Sequence, residues 1–176
     1  LQKHDHLVSS IVMPESICLN MSAATDTVAY ESSSRNKTLQ DAHHLLIQSQ
    51  SEQQALNCLR AWVRRQAATL LIPLLEQLAN EFDLKYNRVS IRSQKSRWGS
   101  YSSQGTVSLN DQLVFMPLET VRYLLIHELC HSKHMNHSAR YWKLVESCCP
   151  GYRQHDAALG RGRELVPEWF RYSLFS

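Results

Sequence analysis

Between residues 56 and 78 the apolar positions recur every three or four residues: Leu56, Leu59, Val63, Ala67, Leu70, Leu74 and Leu78. That spacing lines one face of an α-helix and predicts a helical segment over about 39–80. Pro73 is expected to kink or divide it near Ile72, because proline removes a backbone donor and crowds the preceding turn. The period then changes. Arg88-Val-Ser-Ile-Arg92 alternates polar and apolar residues, which predicts a strand with Val89 and Ile91 inward. A second strand is expected to begin within Ser96–Tyr101, followed by a turn at Ser102-Ser-Gln-Gly105 and a third strand over Thr106–Asn110. Together these predict a small antiparallel hairpin or meander. An apolar run, Val121 to Ile126, then leads a helix reaching about Met135, with Pro117 in its first turn and Glu119 at its positive end. A further helix over 138–149 should stop at Pro150-Gly151, with a short one over 153–159.

Before Leu39 the pattern is weak. Leu7–Met13 and Thr25–Tyr30 are short β-like stretches, and Glu31–Thr38 is a polar run. Residues 1–50 are therefore expected to be an extension or partly ordered arm, and 51–176 a single domain of the α+β class.

Composition narrows this little. Hydrophobic residues make up 43% of the 176, enough for a sizeable core, and a net charge of +3 does not by itself argue for nucleic acid. No apolar run is long enough to predict a membrane span. Residues 7–13 are short and carry two serines, so no signal peptide is read there. Five cysteines, an odd number, point to reduced thiols and a cytoplasmic setting. Cys130 is expected to pack on a face away from the neighbouring histidines.

The chemistry concentrates further on. Four of the nine histidines fall between His127 and His137, inside His127-Glu-Leu-Cys-His131 and His134-Met-Asn-His137. Residues four apart on a helix project side by side, so His127 and His131 can both reach one Zn²⁺ at about 2.0–2.1 Å. Glu128 lies one residue round, where a carboxylate can take a proton from a water activated by the metal. This His-Glu-x-x-His spacing is that of a zinc hydrolase, most simply a peptidase acting on a peptide or protein. A chance match would bury two histidines and a glutamate behind an apolar run for no purpose.

A third ligand is needed, and three residues offer one. His134 shares the helical face but stands about 10 Å along a continuous axis from His127. His137 points away unless the chain turns near Asn136, after which Ser138 can cap a new helix. Glu146 comes from that next helix. His137 is favoured. Tyr152, His155 and His134 are candidates for steadying the developing oxyanion. Trp98 and Trp142 are expected as core anchors, Trp142 bracing the loop of His137. Two other functions are weighed: a binding module with structural zinc, which the lack of a Cys-x-x-Cys disfavours, and association with nucleic acid through Arg88, Arg92, Lys95 and Arg97. Arg60, Arg64 and Arg65 are read as a solvated helix face.

The segments Gln94–Ser100 (QKSRWGS), Val107–Asn110 (VSLN) and His127–Trp142 (HELCHSKHMNHSARYW) resemble the YgjP-like family of metal-dependent hydrolases, related to SprT-like and other minimal zincin peptidases. The resemblance spans about Leu56 to Phe170. It implies a zincin-like fold, with a helical layer on a small, mostly antiparallel sheet and the motif helix against it. It also implies Zn²⁺ held by His127, His131 and His137, with Glu128 as the catalytic glutamate. The family usually has cysteine where this chain has Tyr101. The strand Val107–Asn110 is expected to be the sheet edge that aligns an extended peptide.

Overall fold

The structure, a computed structural model, describes residues 11–171. The chain forms two compact units, the first from described residues 11–17, 25–60 and 167–171, the second from 18–24 and 61–166.

The first unit holds most of a four-stranded sheet, ordered β1 (Ser16–Leu19), β2 (Ala24–Ser32), β4 (His44–Ser49) and β3 (Lys37–Asp41). Thr25–Tyr30 is thus a strand as expected, but three further strands lie in the described part of the extension as well. Leu7–Met13 falls mainly outside the described residues, and its described end, residues 11–13, is not strand. Residues 39–49, expected as helix, are the end of β3, a turn at 42–43 and β4, in which Leu45 and Ile47 alternate with less buried neighbours and are 1% and 0% exposed. A period of two over so short a run was hidden beneath the stronger helical period that follows.

Helix α1 (Glu52–Glu81) contributes its first residues to the first unit and the rest to the second. It runs through Pro73 unbroken. Pro73 and Thr69, whose carbonyl loses its donor, are both exposed, so solvent can satisfy that oxygen. The buried face shifts after Ala67 to Leu71, Leu75 and Leu78, in place of Leu70 and Leu74. Adjacent leucines left that choice to packing. Arg64 is not merely solvated; it sits 3.5 Å from the Asp111 carboxylate, while Arg60 donates to the Trp169 carbonyl within the first unit.

In the second unit, β5 (Arg88–Arg92), β6 (Gly99–Tyr101) and β7 (Thr106–Asn110) form a sheet ordered β5-β7-β6. β7 pairs antiparallel with β6 through the turn at Gly105, whose φ is +76°, and parallel with β5. The sheet is therefore mixed rather than a meander, and β7 is its central strand, not its edge. The expectation for Val107–Asn110 as a peptide-aligning edge is overturned, because both sides of β7 are already paired, with β5 and with β6. Residues 18–24 close onto a 3-10 turn after β7, with Asn20 donating to the Phe115 carbonyl at 2.8 Å.

Helix α2 (Leu118–Cys130) packs against β6, and α3 (Ala139–Cys148) and α4 (Tyr152–Gly160) pack on α2. The α+β class and the motif helix against a small sheet are as expected. α2 ends five residues earlier than Met135. The His131 N–H bonds the Glu128 carbonyl and Ser132 the Leu129 carbonyl, each three residues back, tightening the last turn.

Candidate metal centre

The early end of α2 brings the histidines together. On a continued helix His137 would lie about 9 Å beyond His131 along the axis. Instead the chain turns back over 131–138, and Ser138 caps α3 by accepting from the Tyr141 N–H. Ring nitrogens of His127, His131 and His137 lie within 4.8 Å of one another, the one such cluster among the described residues. The other two third-ligand candidates are not brought in. Glu146 accepts from the Gly151 N–H at the far end of α3, and the His134 carbonyl accepts from the His131 ring.

The ring tautomers follow from their partners. His131 Nδ1 lies 3.0 Å from the His134 carbonyl and must donate, leaving Nε2 bare. The Tyr123 hydroxyl donates to Asp156 at 2.7 Å, so its oxygen accepts from His127 Nδ1, at a long 3.5 Å. The bare Nε2 of His127 then faces Nε2 of His137 at 3.3 Å. Two nitrogens sharing a tetrahedral zinc stand roughly 3.3–3.4 Å apart, so this pair suits an ion better than it suits either ring alone. The residues fit a metal.

Aromatic rings wall the site. Tyr141, 0% exposed, has its ring 4.8 Å from that of His131, 4.7 Å from His137 and 5.4 Å from His127. Its hydroxyl is committed to the His127 carbonyl at 2.9 Å. Trp142 stacks on His137 at 5.6 Å and on Tyr152 at 5.2 Å, and Tyr152 stacks in turn on Tyr123. Trp142 therefore braces the His137 loop as expected, but it and Trp98 are half-buried rather than core. Tyr152 is buried in this stack, and the His155 ring lies 6.5 Å from that of Tyr123.

Electrostatics favour neutral imidazole. Burial, then the neighbouring His131 and His137, push His127 down to about 4. His131 is lowered too, chiefly by burial. Glu128 is 5% exposed, and burial pushes its carboxyl up to about 7, against the pull of Arg97. Burial also raises the Tyr123 and Tyr141 phenols, so both keep their protons.

Several parts of the site were not anticipated. Tyr141, Tyr123 and Asp156 have only helical spacing to betray them: Tyr123 lies one turn before His127. Gly99 on β6 gives Glu128 its room. A Cβ there would meet Glu128 Oε1 at 2.8 Å. Tyr101, where the resembled family has cysteine, donates to the Lys85 carbonyl and lies with its ring 6.4 Å from His131. Cys130 is fully buried beside Cys148, and burial pushes its thiol up to about 12.

Residues 5–161 match the YgjP-like metallopeptidase domain. The chain belongs to this family. The match starts well before Leu56, where the motif resemblance began, and so takes in the four-stranded sheet. The family makes the chain a metal-dependent peptidase, with a peptide or protein as substrate and a catalytic metal. No curated protein matches it. Among solved structures it is similar to the metallopeptidase zymogen of Pyrococcus abyssi abylysin, at 30% identity and TM-score 0.45 over 52% of this chain and 90% of that one. It is also similar to the zymogen of Methanocaldococcus jannaschii jannalysin, at 19% identity and TM-score 0.46 over 55% and 97%. No helix among the described residues is long and apolar enough to cross a membrane.

Proposed function

We propose that the metal of this peptidase is zinc, that His127, His131 and His137 hold it, and that Glu128 is the general base. The observation that carries this reading is the cluster of three ring nitrogens within 4.8 Å, supplied by the end of α2 and the loop before α3. An all-imidazole donor set suits zinc and leaves a fourth position for chemistry. When bound, the metal supplies a polarising charge for the scissile carbonyl and for the attacking water. Glu128, buried and pushed up to about 7, is poised both to take that water's proton and to return it to the departing amine. The site's own residues do the rest. Tyr141 fixes the rings, and β6, an edge strand beside Glu128, offers backbone along which an extended peptide can lie.

The chemistry is contained within 51–176 on this reading, with residues 1–50 as an accessory segment. The five cysteines are all free thiols, which supports a reducing compartment such as the cytoplasm. Association with nucleic acid is a subsidiary reading, favoured only by exposed Arg88, Arg92, Lys95 and Arg97; salt-dependent DNA affinity tests it.

The deciding experiment pairs two variants on a quenched-peptide substrate pool. Glu128→Gln should retain zinc and lose hydrolysis, whereas His137→Ala should lose zinc. Hydrolysis that survives Glu128→Gln at the wild-type rate would remove the base assignment.

A further inference from the structure

The two nitrogens of His127 face opposite ways, one toward His137 and one toward Tyr123. Tyr123 sits one helical turn earlier on α2, so its ring lies edge-on to the imidazole at 5.9 Å and 70°. Its hydroxyl donates to Asp156, an exposed carboxylate on α4, at 2.7 Å. We propose that Asp156 is a positioning residue for the metal centre, acting on His127 through the Tyr123 hydroxyl. This rests on the reading of His127 as a ligand.

The physical case has three parts. A phenol that donates to an anion is a better acceptor on its own oxygen, because hydrogen bonds in a chain polarise one another. A stronger acceptor at Nδ1–H fixes the tautomer and makes the opposite nitrogen, Nε2, more basic toward a cation. Finally, the carboxylate stays at the surface, where its charge needs little desolvation, while the buried phenol carries its influence inward. Direct carboxylate–histidine contact would have required burying the charge. His131 has only a neutral carbonyl in the equivalent place, so the charged support is particular to His127.

A purely structural role for Asp156, satisfying a buried hydroxyl, predicts something different. It would lower the stability of the metal-free protein and leave the metal's surroundings unchanged. The test uses the full chain as wild type, Asp156→Ala, Asp156→Asn, Tyr123→Phe and His127→Ala. Zn²⁺ affinity is read by chelator competition, Co²⁺ spectra report ligand geometry, and urea unfolding of the metal-free forms reports the fold. Asp156→Ala should weaken Zn²⁺ binding by roughly 10- to 100-fold and shift the Co²⁺ bands, with unfolding midpoints unchanged. Asp156→Asn should fall between, and adding Asp156→Ala to Tyr123→Phe should weaken binding no further. Wild-type affinity and spectra in Asp156→Ala would overturn the proposal, as would an affinity loss matched by a loss of metal-free stability. His127→Ala binding Zn²⁺ as tightly as wild type would instead remove the ligand reading itself.

Discussion

Gly99 and Glu128 are in closer contact than any other residue type at position 99 would allow: a Cβ would stand 2.8 Å from Oε1 and 3.0 Å from Cγ of the glutamate. Glu128 is 5% exposed and walled by packed residues, so it has little room to retreat. Gly99→Ala should therefore displace the carboxylate by a fraction of an ångström. The expected result is a kcat lowered by roughly 10- to 100-fold with zinc content unchanged. Steady-state kinetics alongside metal analysis checks this. A wild-type kcat would mean that Glu128 is free to shift without consequence.

Trp142 stands between His137 and Tyr152, stacked on both, at interplanar angles of 23° and 13°. His137 is the exposed member of the cluster and lies on a loop, where the indole restrains it alongside the Tyr141 ring at 4.7 Å. Trp142→Ala should weaken zinc binding by about tenfold, while Trp142→Phe keeps one stacking face and most of the affinity. Equal affinities in all three proteins would assign the restraint to the α3 cap instead.

That cap is Ser138, whose hydroxyl accepts from the Tyr141 N–H at 3.4 Å and starts α3 one residue after His137. Ser138→Ala should cost about 1 kcal/mol in urea unfolding, and Ser138→Asp should recover most of it. No loss in the alanine variant would show that the packing of Tyr141 alone sets the helix start.

The site was more legible than the scaffold, and the reasons are physical. His127 and His131 are tied by helical spacing alone, so their common face follows from the sequence, with Glu128 one residue round from His127. His137 needed a turn, and of the Asn136-His137-Ser138 string Ser138 carried the cap, while the chain leaves the helix earlier, over 131–133. Bringing three rings together, however, also required α2 to stop at Cys130, which depends on tertiary packing that no local signal marks. The same limit explains the sheet. Val89, Ile91, Val107 and Leu109 alternate clearly, yet alternation says nothing about partner or direction, and β5 joined β7 in parallel. Gly99, Tyr123 and Asp156 were invisible because their roles exist only across elements.

Asp111 supplies a test of how burial competes with pairing. It is 1% exposed, Oδ2 accepts from Ser93 and lies 3.5 Å from Arg64, and no protein group among the described residues bonds Oδ1. Burial raises its pKa from 3.8 and outweighs Ser93, Arg64 and the Gln112 N–H, which all lower it. The folded chain thus holds this proton more tightly than the unfolded one. The stability that Asp111 contributes is full below about 3.8 and is lost as pH rises through the folded value. Asp111→Asn carries no titrating charge there, so whatever constant offset it introduces, the difference between wild type and variant should tilt against wild type as pH rises from 4 to 7. Urea unfolding of both metal-free proteins across that range measures the tilt. The opposite slope would mean that Arg64, itself 55% exposed and screened by solvent, holds the carboxylate more strongly than burial penalises it.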